Sequence, residues 1–558
     1  MNFENYGLKP YGAVPNARQL EWYKRERMIF FHFGMNTFTG KEWGDGTESP
    51  ATFNPSELDV RQWVRVVKEA GFACAILTAK HHDGFCLWQT KYTEHSIKNS
   101  PYKNGNGDIV KEFTDACAEF GVKAGIYLSP WDRHEPSWGK DEYNDFYVGQ
   151  LTELLTNYGK IWEVWWDGAG STEAVYDWDR WASTVRALQT DAVIFGSLGA
   201  TPYVDVRWVG NEKGIAGKPC YATIDEISLI VETTSELNSG KVNGERFIPA
   251  EVDVSIRPGW FYHSEQDEMV RTPDNLMELY FNSNGSNAGL LLNLPPDRRG
   301  LVHEKDVKSM LEFKCLLDNM LSNNLAKGAT VSASTQRQGC ESQNLLNGGI
   351  FAPLDSDKTP YIEIELDTEK EINVISICEE VSLGQRITAL RAYALVDNEY
   401  KELFLSRCVG NRLSQRFDKV KTKRVRIEIE EFLDVPVLKE LGIYLYSGDE
   451  SSKNTANSKN SGNLITENTE ISLVSGEIDV NLGGIMPFNK ITVENVSSCS
   501  YELLIFNGFS FESELKSNTS ESGIEINLDR VIDGAYRFKI VTDTDVSNAK
   551  IAVYNDQK

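Results

Sequence analysis

VRQWVRVVKEAGFACAILTAKHHDG, residues 60–84, holds the grammar of the first half of this chain. Val60, Trp63, Val64 and Val67 recur at helical spacing, so one face of this segment is apolar. Gly71 takes the left-handed position that ends a helix, and the apolar run Ala73 to Thr78 then reads as a strand whose end is polar. The same order of amphipathic helix, glycine and strand returns in VKEFTDACAEFGVKAGIYLSPWD (110–132), around Gly121, and in LTELLTNYGKIWEVWWDGAG (151–170), around Gly159. Further strand candidates are MIFFHFG (28–34), AVIFGSLG (192–199), DVRWVGNE (205–212), RFIPAEVDVSI (246–256) and GLLLNLPP (289–296), eight candidates altogether. Strands alternating with helices over about 320 residues predict an α/β, TIM-like (β/α) barrel. A doubly wound open sheet is the alternative, but no GxGxxG opens a helix after the first strand.

Beyond Leu325 the pattern changes. LAKGATVSAST, PYIEIELDTEKEINVISICEE, TKRVRIEIEEF and VLKELGIYLYS alternate at period two and are rich in Val, Ile and Thr, which predicts a β-sandwich. SGDESSKNTANSKNSGN (447–463) is almost without apolar residues and reads as a linker. The expected organisation is therefore a catalytic barrel over 1–322, a sandwich over 323–446, the linker 447–463, and a small β domain over 464–558. A chain of 558 residues needs such a division, since single cores stop growing near ~250–300 residues.

Composition narrows the function. A formal net charge of −25 opposes binding to phosphate backbones or anionic lipid, so nucleic acid is not an expected partner. No apolar run approaches the ~18 residues of a membrane span. The nine cysteines are scattered and never form a CxxC pair, so neither a disulfide framework nor a zinc site is indicated. The first residues contain no apolar leader stretch, and a cytoplasmic location is expected. Secretion or periplasmic export with the leader removed is the alternative.

All seven histidines lie between His32 and His303 and all thirteen tryptophans between Trp22 and Trp260, which places the chemistry in the first half. Aromatic rings stack on the apolar faces of sugars and neutral imidazoles bond hydroxyls, so the enrichment suits carbohydrate as well as it suits a large aromatic core. In (β/α) barrels the active site lies at the C-terminal strand ends. Those ends carry His32, His81 and His82, Tyr127, Asp167, Glu212, Glu251 with Asp253, and Asn293. Asp167, behind Trp165 and Trp166, is placed to attack an anomeric carbon, although an Asp there also serves simply as a helix cap. Glu212 or Glu251 can supply the proton, and spacing alone does not choose between them. Adjacent strand residues point to opposite faces, so the HHDG at 81–84 makes a metal site only if an unusual turn intervenes, and no metal is expected. Glu42 and Trp43 stand in the long loop after the first strand, where barrels carry functional groups. No GxSxG elbow or phosphate loop with a following Lys is present.

FFHFGMNTFTGKEW (30–43), AILTAKHHDGFCLWQT (75–90), GIYLSPWDRHE (125–135), VWWDGAG (164–170), VGNEKG (209–214), SIRPGWFYH (255–263) and LLLNLPPDRRGL (290–301) fall in register with those strand ends. In this order they resemble glycoside hydrolase family 29, the α-L-fucosidases. The resemblance implies a retaining hydrolase with Asp167 as nucleophile and a fucose pocket lined by His32, Glu42, Trp43, His81, His82, Tyr127 and Trp260. The GNE segment resembles the subfamily acting on α-1,3/1,4-linked fucose of Lewis-type glycans, which implies Glu212 as acid/base ahead of Glu251. Fucosylated oligosaccharides or glycoconjugates are the implied partners, and the chemistry calls for no cofactor. Fucose is a 6-deoxy sugar, and Trp260 is the candidate wall for its methyl group. The segment after the barrel resembles a discoidin-like or carbohydrate-binding sandwich, but it contains no His or Trp, and a structural brace fits it equally.

Overall fold

In the computed structural model of the chain the described residues are 3–170, 174–197, 199–226, 234–448 and, with short breaks, 470–554. Eight parallel strands close a barrel: β1 (Arg27–Phe31), β2 (Cys74–Lys80), β3 (Lys123–Leu128), β4 (Glu163–Trp165), β5 (Val193–Gly196), β6 (Val206–Trp208), β9 (Ala250–Ser255) and β10 (Gly289–Asn293). All eight overlap the predicted runs, with β1 beginning one residue early at Arg27 and β2 running two residues past Thr78 to Lys80. RFIPAEVDVSI divides, however: β8 (Arg246–Phe247) pairs with β7 (Thr223–Ile224) in a ribbon outside the barrel, and only β9 joins the barrel. Pro249 stands between them and has no N–H to offer a ladder.

The first helix behaves as its pattern requires. Asp59 accepts from the Gln62 amide at 3.1 Å, capping Val60–Glu69, while Val60, Trp63, Val64 and Val67 are buried against the outer face of the barrel. Gly71 ends it at φ 78°, and Gly121 caps Ile109–Phe120 at φ 67°. Trp63 is wholly enclosed, and replacing it by Ala is expected to cost about 3–5 kcal/mol.

Strand alternation sorts each side chain to one of two cores. Met28 and Phe30, Cys74 and Ile76, Tyr127, Trp165, Val193 and Phe195, Val206 and Trp208, and Leu291 fill the barrel interior. Their neighbours Ile29, Phe31, Ala75, Leu77, Val164, Trp166, Ile194 and Leu292 pack outward under the helices. Continued past the strand ends, the inward phase leads to His32, Asp167, Ser197 and Asn293. The mouth of the barrel is the next layer of its own interior.

Six antiparallel strands follow: β11 (Thr330–Ala333), β12 (Tyr361–Glu379), β13 (Ile387–Val396), β14 (Glu399–Ser406), β15 (Leu413–Phe432) and β16 (Leu438–Tyr444). β12 breaks register against β15 between Glu365 and Lys370 and between Ile372 and Val374. Both of its halves, Ile362 and Ile364 as well as Ile375 and Ile377, contribute to one core, so bulges let the sheet fold over itself. Gln385 Oε1 accepts from the Ala222 amide at 2.9 Å, Tyr221 donates to the Arg407 carbonyl, and Arg412 Nε bonds Glu26 at 2.9 Å. The first two contacts brace the barrel segment that follows Glu212, and the third ties the sheet to the residue just before β1. The expected linker falls almost wholly outside the described residues. Strands β17 to β24, between Glu470 and Tyr554, form two further antiparallel sheets around Ile478, Val480, Ile491, Leu503, Phe538 and Ile540.

Candidate active site

At the C-terminal end of the barrel an open-mouthed pocket is lined by His32, Glu42, Trp43, His81, His82, Asp167, Glu212 and Trp260. Eight of the nine expected site residues therefore share one cavity. The ninth, Tyr127, is fully buried beneath it and touches the site through Asp167. Phe30, Trp165, Gly168, Ala169, Ser197, Trp208 and Asp253 complete the lining. Of the two tryptophans before Asp167 only Trp165 faces the pocket, while Trp166 turns outward against Trp178 and Trp181, as period two demands.

Asp167 follows β4 and is half-buried. Its Oδ2 accepts the Tyr127 hydroxyl at 2.9 Å and its Oδ1 accepts the Ala169 amide at 2.8 Å. The carboxylate is thus aimed by two neutral donors, and among the described residues no lysine or arginine ion pair competes for its lone pairs.

The turn after β2 brings His81 and His82 to the same side, with ring centroids 4.0 Å apart. This corrects the expectation that adjacent residues here diverge, because the strand stops at Lys80. His81, His82 and Asp167 place three potential ligand atoms within 4.8 Å of one another, so this is where a metal ion would find protein donors. His82 Nδ1 lies 2.7 Å from Ser129 Oγ, and that hydroxyl donates to the Trp131 carbonyl at 2.6 Å. Nδ1 must therefore carry the proton, leaving Nε2 as an acceptor 3.6 Å from Asp167 Oδ2. Burial holds the His82 imidazole down to about 4, against the opposing pull of Asp167, so the ring is neutral near pH 7. Two acceptors face each other, so a sugar hydroxyl here can donate to one of them and leaves the other open to a second donor.

His32 is fixed in a similar way. Asn293 Nδ2 donates to Ser255 Oγ at 2.9 Å and to the Trp260 carbonyl at 2.8 Å, so its Oδ1 receives His32 Nδ1 at 2.9 Å. Burial pushes His32 down to about 3 and His81 well below the usual imidazole range. The pocket floor is therefore a set of neutral imidazoles that both donate and accept.

Glu212 lies beyond β6, half-buried, with Oε2 accepting from the Trp260 indole N–H at 3.2 Å. Burial pushes its carboxyl well above the usual range, and the charges of Asp253 and Asp167 add to the effect while the indole bond opposes it. Glu251, the rival in sequence, is wholly enclosed. Its oxygens accept from the Trp165 indole at 3.0 Å and the Trp22 indole at 3.3 Å, and burial lifts it to about 8. Asp253 shares its inward face two residues nearer the mouth and does line the pocket, taking the Trp208 indole at 2.8 Å. Burial raises Asp253 to about 7. The strand phase places both acids inside the barrel, and position along the strand gives their order of depth.

Glu42 spans the rim. Its Oε2 accepts from the Trp260 backbone N–H at 2.9 Å and its Oε1 meets His263 Nε2 at 2.6 Å. Trp43 is 54% exposed, with its ring edge-on to Trp131 at 5.5 Å. His263 was not among the expected site residues. Its only signal in sequence is its place at the end of SIRPGWFYH.

The arrangement supplies a half-buried carboxylate aimed by neutral donors, a second carboxyl whose proton affinity burial raises, an aromatic wall and a row of neutral imidazoles. Comparison with known proteins agrees in kind. The family profile described as Alpha-L-fucosidase matches residues 10–318. The Arabidopsis thaliana protein Alpha-L-fucosidase 1 is 40% identical over 468 residues, covering 80% of this chain and 91% of that protein. A putative α-L-fucosidase from Bacteroides thetaiotaomicron superposes with a TM-score of 0.77 at 44% identity, over 79% of this chain and 99% of that one. A Ruminococcus gnavus GH29 fucosidase solved in complex with fucose gives a TM-score of 0.74 at 33% identity, over 79% of this chain and 97% of its own.

Proposed function

The chain belongs to the α-L-fucosidases of glycoside hydrolase family 29, and from that premise we propose that it removes terminal α-1,3/1,4-linked fucose from branched, Lewis-type glycans by double displacement, with Asp167 as nucleophile and Glu212 as acid/base. What carries the assignment is that Asp167 and Glu212 line one pocket while Glu251 is sealed beneath it by two indoles.

In this reading Glu212 starts protonated and delivers its proton to the leaving oxygen as Asp167 attacks the anomeric carbon. The bond to the aglycone breaks, a fucosyl ester forms on Asp167, and Glu212, now ionised, deprotonates the water that releases fucose. The hydroxyls are held by His32, His81, His82 and Glu42. One of them donates to His82 Nε2 beside Asp167, a bond that tightens as positive charge develops on the ring. Phe30, Trp165, Trp208 and Trp260 offer apolar surface for the sugar face and its methyl group. The linkage preference is supported by the resemblance of the GNE segment and by the exposed face of Trp43, which leaves room for a branched aglycone at the rim. No step needs a metal, and exhaustive chelation is expected to leave turnover within about twofold of its starting value.

The test is hydrolysis of a Lewis-type trisaccharide followed by proton NMR of the first-formed fucose anomer. Release of α-fucose by the wild type, with loss in both Asp167→Ala and Glu212→Ala and azide rescue of each, supports the assignment. Release of β-fucose first would exclude double displacement. Full activity of Glu212→Ala would remove that residue from the role, and activity confined to α-1,2-linked fucosides would remove the linkage preference.

A further inference from the structure

Trp260 holds two carboxylates at once. Its backbone N–H donates to Glu42 Oε2 at 2.9 Å and its indole N–H to Glu212 Oε2 at 3.2 Å. The other oxygen of Glu42 lies 2.6 Å from His263 Nε2, and the His263 side chain is only 12% exposed. The notch in which they meet is built from backbone. A methyl group on Gly259 would stand 2.4 Å from Glu42 Oε1 and 3.2 Å from His263 Cδ2. The segment is pinned from behind, with Ser255 Oγ donating to the Gly259 carbonyl at 2.8 Å and the Gly259 amide donating to Gln266 at 3.1 Å. On the opposite side, Asn36 Nδ2 bonds the Glu42 carbonyl at 2.9 Å.

We propose that His263 is a positioning residue: with Gly259 it locks Glu42 onto the strand-end segment 255–263, and so ties the loop carrying Trp43 to the indole that orients Glu212. The proposal rests on reading Glu42 as a ligand of the sugar and Glu212 as the acid/base. Its physical basis is the strength of a short, partly desolvated hydrogen bond to a carboxylate, which exceeds that of a neutral pair and fixes a side chain that otherwise has three free torsions. Without the imidazole, Glu42 keeps only the Trp260 amide and swings toward solvent. The pocket then loses a hydroxyl acceptor, and Trp260 loses one of the groups that fix its place.

The groups facing His263 set the pH behaviour. The Glu42 bond raises the imidazole above its ordinary value against the opposing effect of burial, Glu265 at 3.8 Å adds to the rise, and Arg298 opposes it. A raised value means that the charged clamp is complete at low pH and weakens as pH climbs through it. An alkaline rise in KM that is present in the wild type and absent in His263→Gln is the corresponding signature.

The decisive experiment is steady-state kinetics on an aryl fucoside and on a Lewis-type trisaccharide, well below each variant's melting temperature. His263→Ala is expected to raise KM about tenfold on both substrates and to lower kcat further on the trisaccharide, which needs the proton. His263→Gln, whose amide N–H reaches the same oxygen, is expected to stay within about threefold of wild type, and Gly259→Ala to reproduce the alanine variant. The double variant His263→Ala/Glu42→Ala is expected to be no worse than Glu42→Ala alone, since His263 acts through Glu42. Wild-type constants in His263→Ala beside a damaged Glu42→Ala would sink the clamp and leave the sugar-binding reading standing. Unchanged KM in Glu42→Ala would sink both, and an additive double variant would show that His263 acts by another route.

Discussion

The acids at the centre of the barrel and those on the sheet that follows it are held in opposite ways. On the sheet, Glu365 is held below its usual range by Arg424 and Lys423, and Glu363 by Tyr400 and Arg426, which outweigh its burial. Arg391 bridges Glu402 and Glu430. In the barrel, Asp167 is held by a phenol and an amide, Glu212 and Asp253 by one indole each and Glu251 by two. Guanidinium pairs settle a surface, whereas neutral donors inside a low-dielectric barrel orient an acid while leaving its charge and proton available. The indole N–H serves the barrel as a donor that also builds a wall.

Substitutions in the two regions should differ by orders of magnitude. Asp167→Ala is expected to lower kcat by about 10⁴-fold or more on every fucoside, read by release of fucose, because the covalent step disappears. Survival of more than a hundredth of the activity would place the nucleophile elsewhere. Glu212→Ala should lose about 10²–10⁴-fold on a trisaccharide, but far less on a fucoside with a strongly activated aryl leaving group, because that group departs without a proton. Burial raises Glu212 above the usual carboxylate range, so the proton it donates is retained to higher pH and lost as pH climbs through the raised value. The wild-type kcat/KM should fall on the alkaline side, and a profile unchanged in Glu212→Gln would assign that limb to another group.

Glu251 sharpens the comparison from within the barrel. Glu251→Leu leaves the Trp22 and Trp165 indoles without their acceptor, and chemical denaturation should show a loss of about 2–4 kcal/mol. Activity per folded molecule should change less than tenfold. A collapse of turnover with stability intact would return Glu251 to the chemistry. The smallest effect belongs to the sheet, where Arg391→Ala is expected to cost at most about 1 kcal/mol, since its ion pairs are partly solvated, with kcat/KM unmoved. A kinetic effect there would mean that the sheet shares in binding the glycan.

Much of the site was legible because inward-facing residues continue in phase past the strand ends. Asp167 follows Trp165 and Glu163 at spacing two, and Asn293 follows Leu291 in the same way, so both are placed by counting. Phe30 and Trp208 are inward by the same count, yet nothing local says that their outer edge reaches a ligand. Tyr127 was expected in the lining and lies below it, because depth is set by how each strand is staggered against its neighbours. His263 was missed because its partner is 221 positions away.

The sequence by itself determined the barrel, since period, glycine stops and strand count are local properties that each segment carries alone. It also determined the list of acids and imidazoles available at one face. Only the tertiary structure decided their roles. Glu251 is sealed and Glu212 exposed to the pocket because Trp22, 229 positions from Glu251, arrives from the helix Ala17–Tyr23 and Trp165, 86 positions away, from β4. The proton affinity of a buried acid is a property of the groups around it, and those groups become neighbours only when the barrel closes.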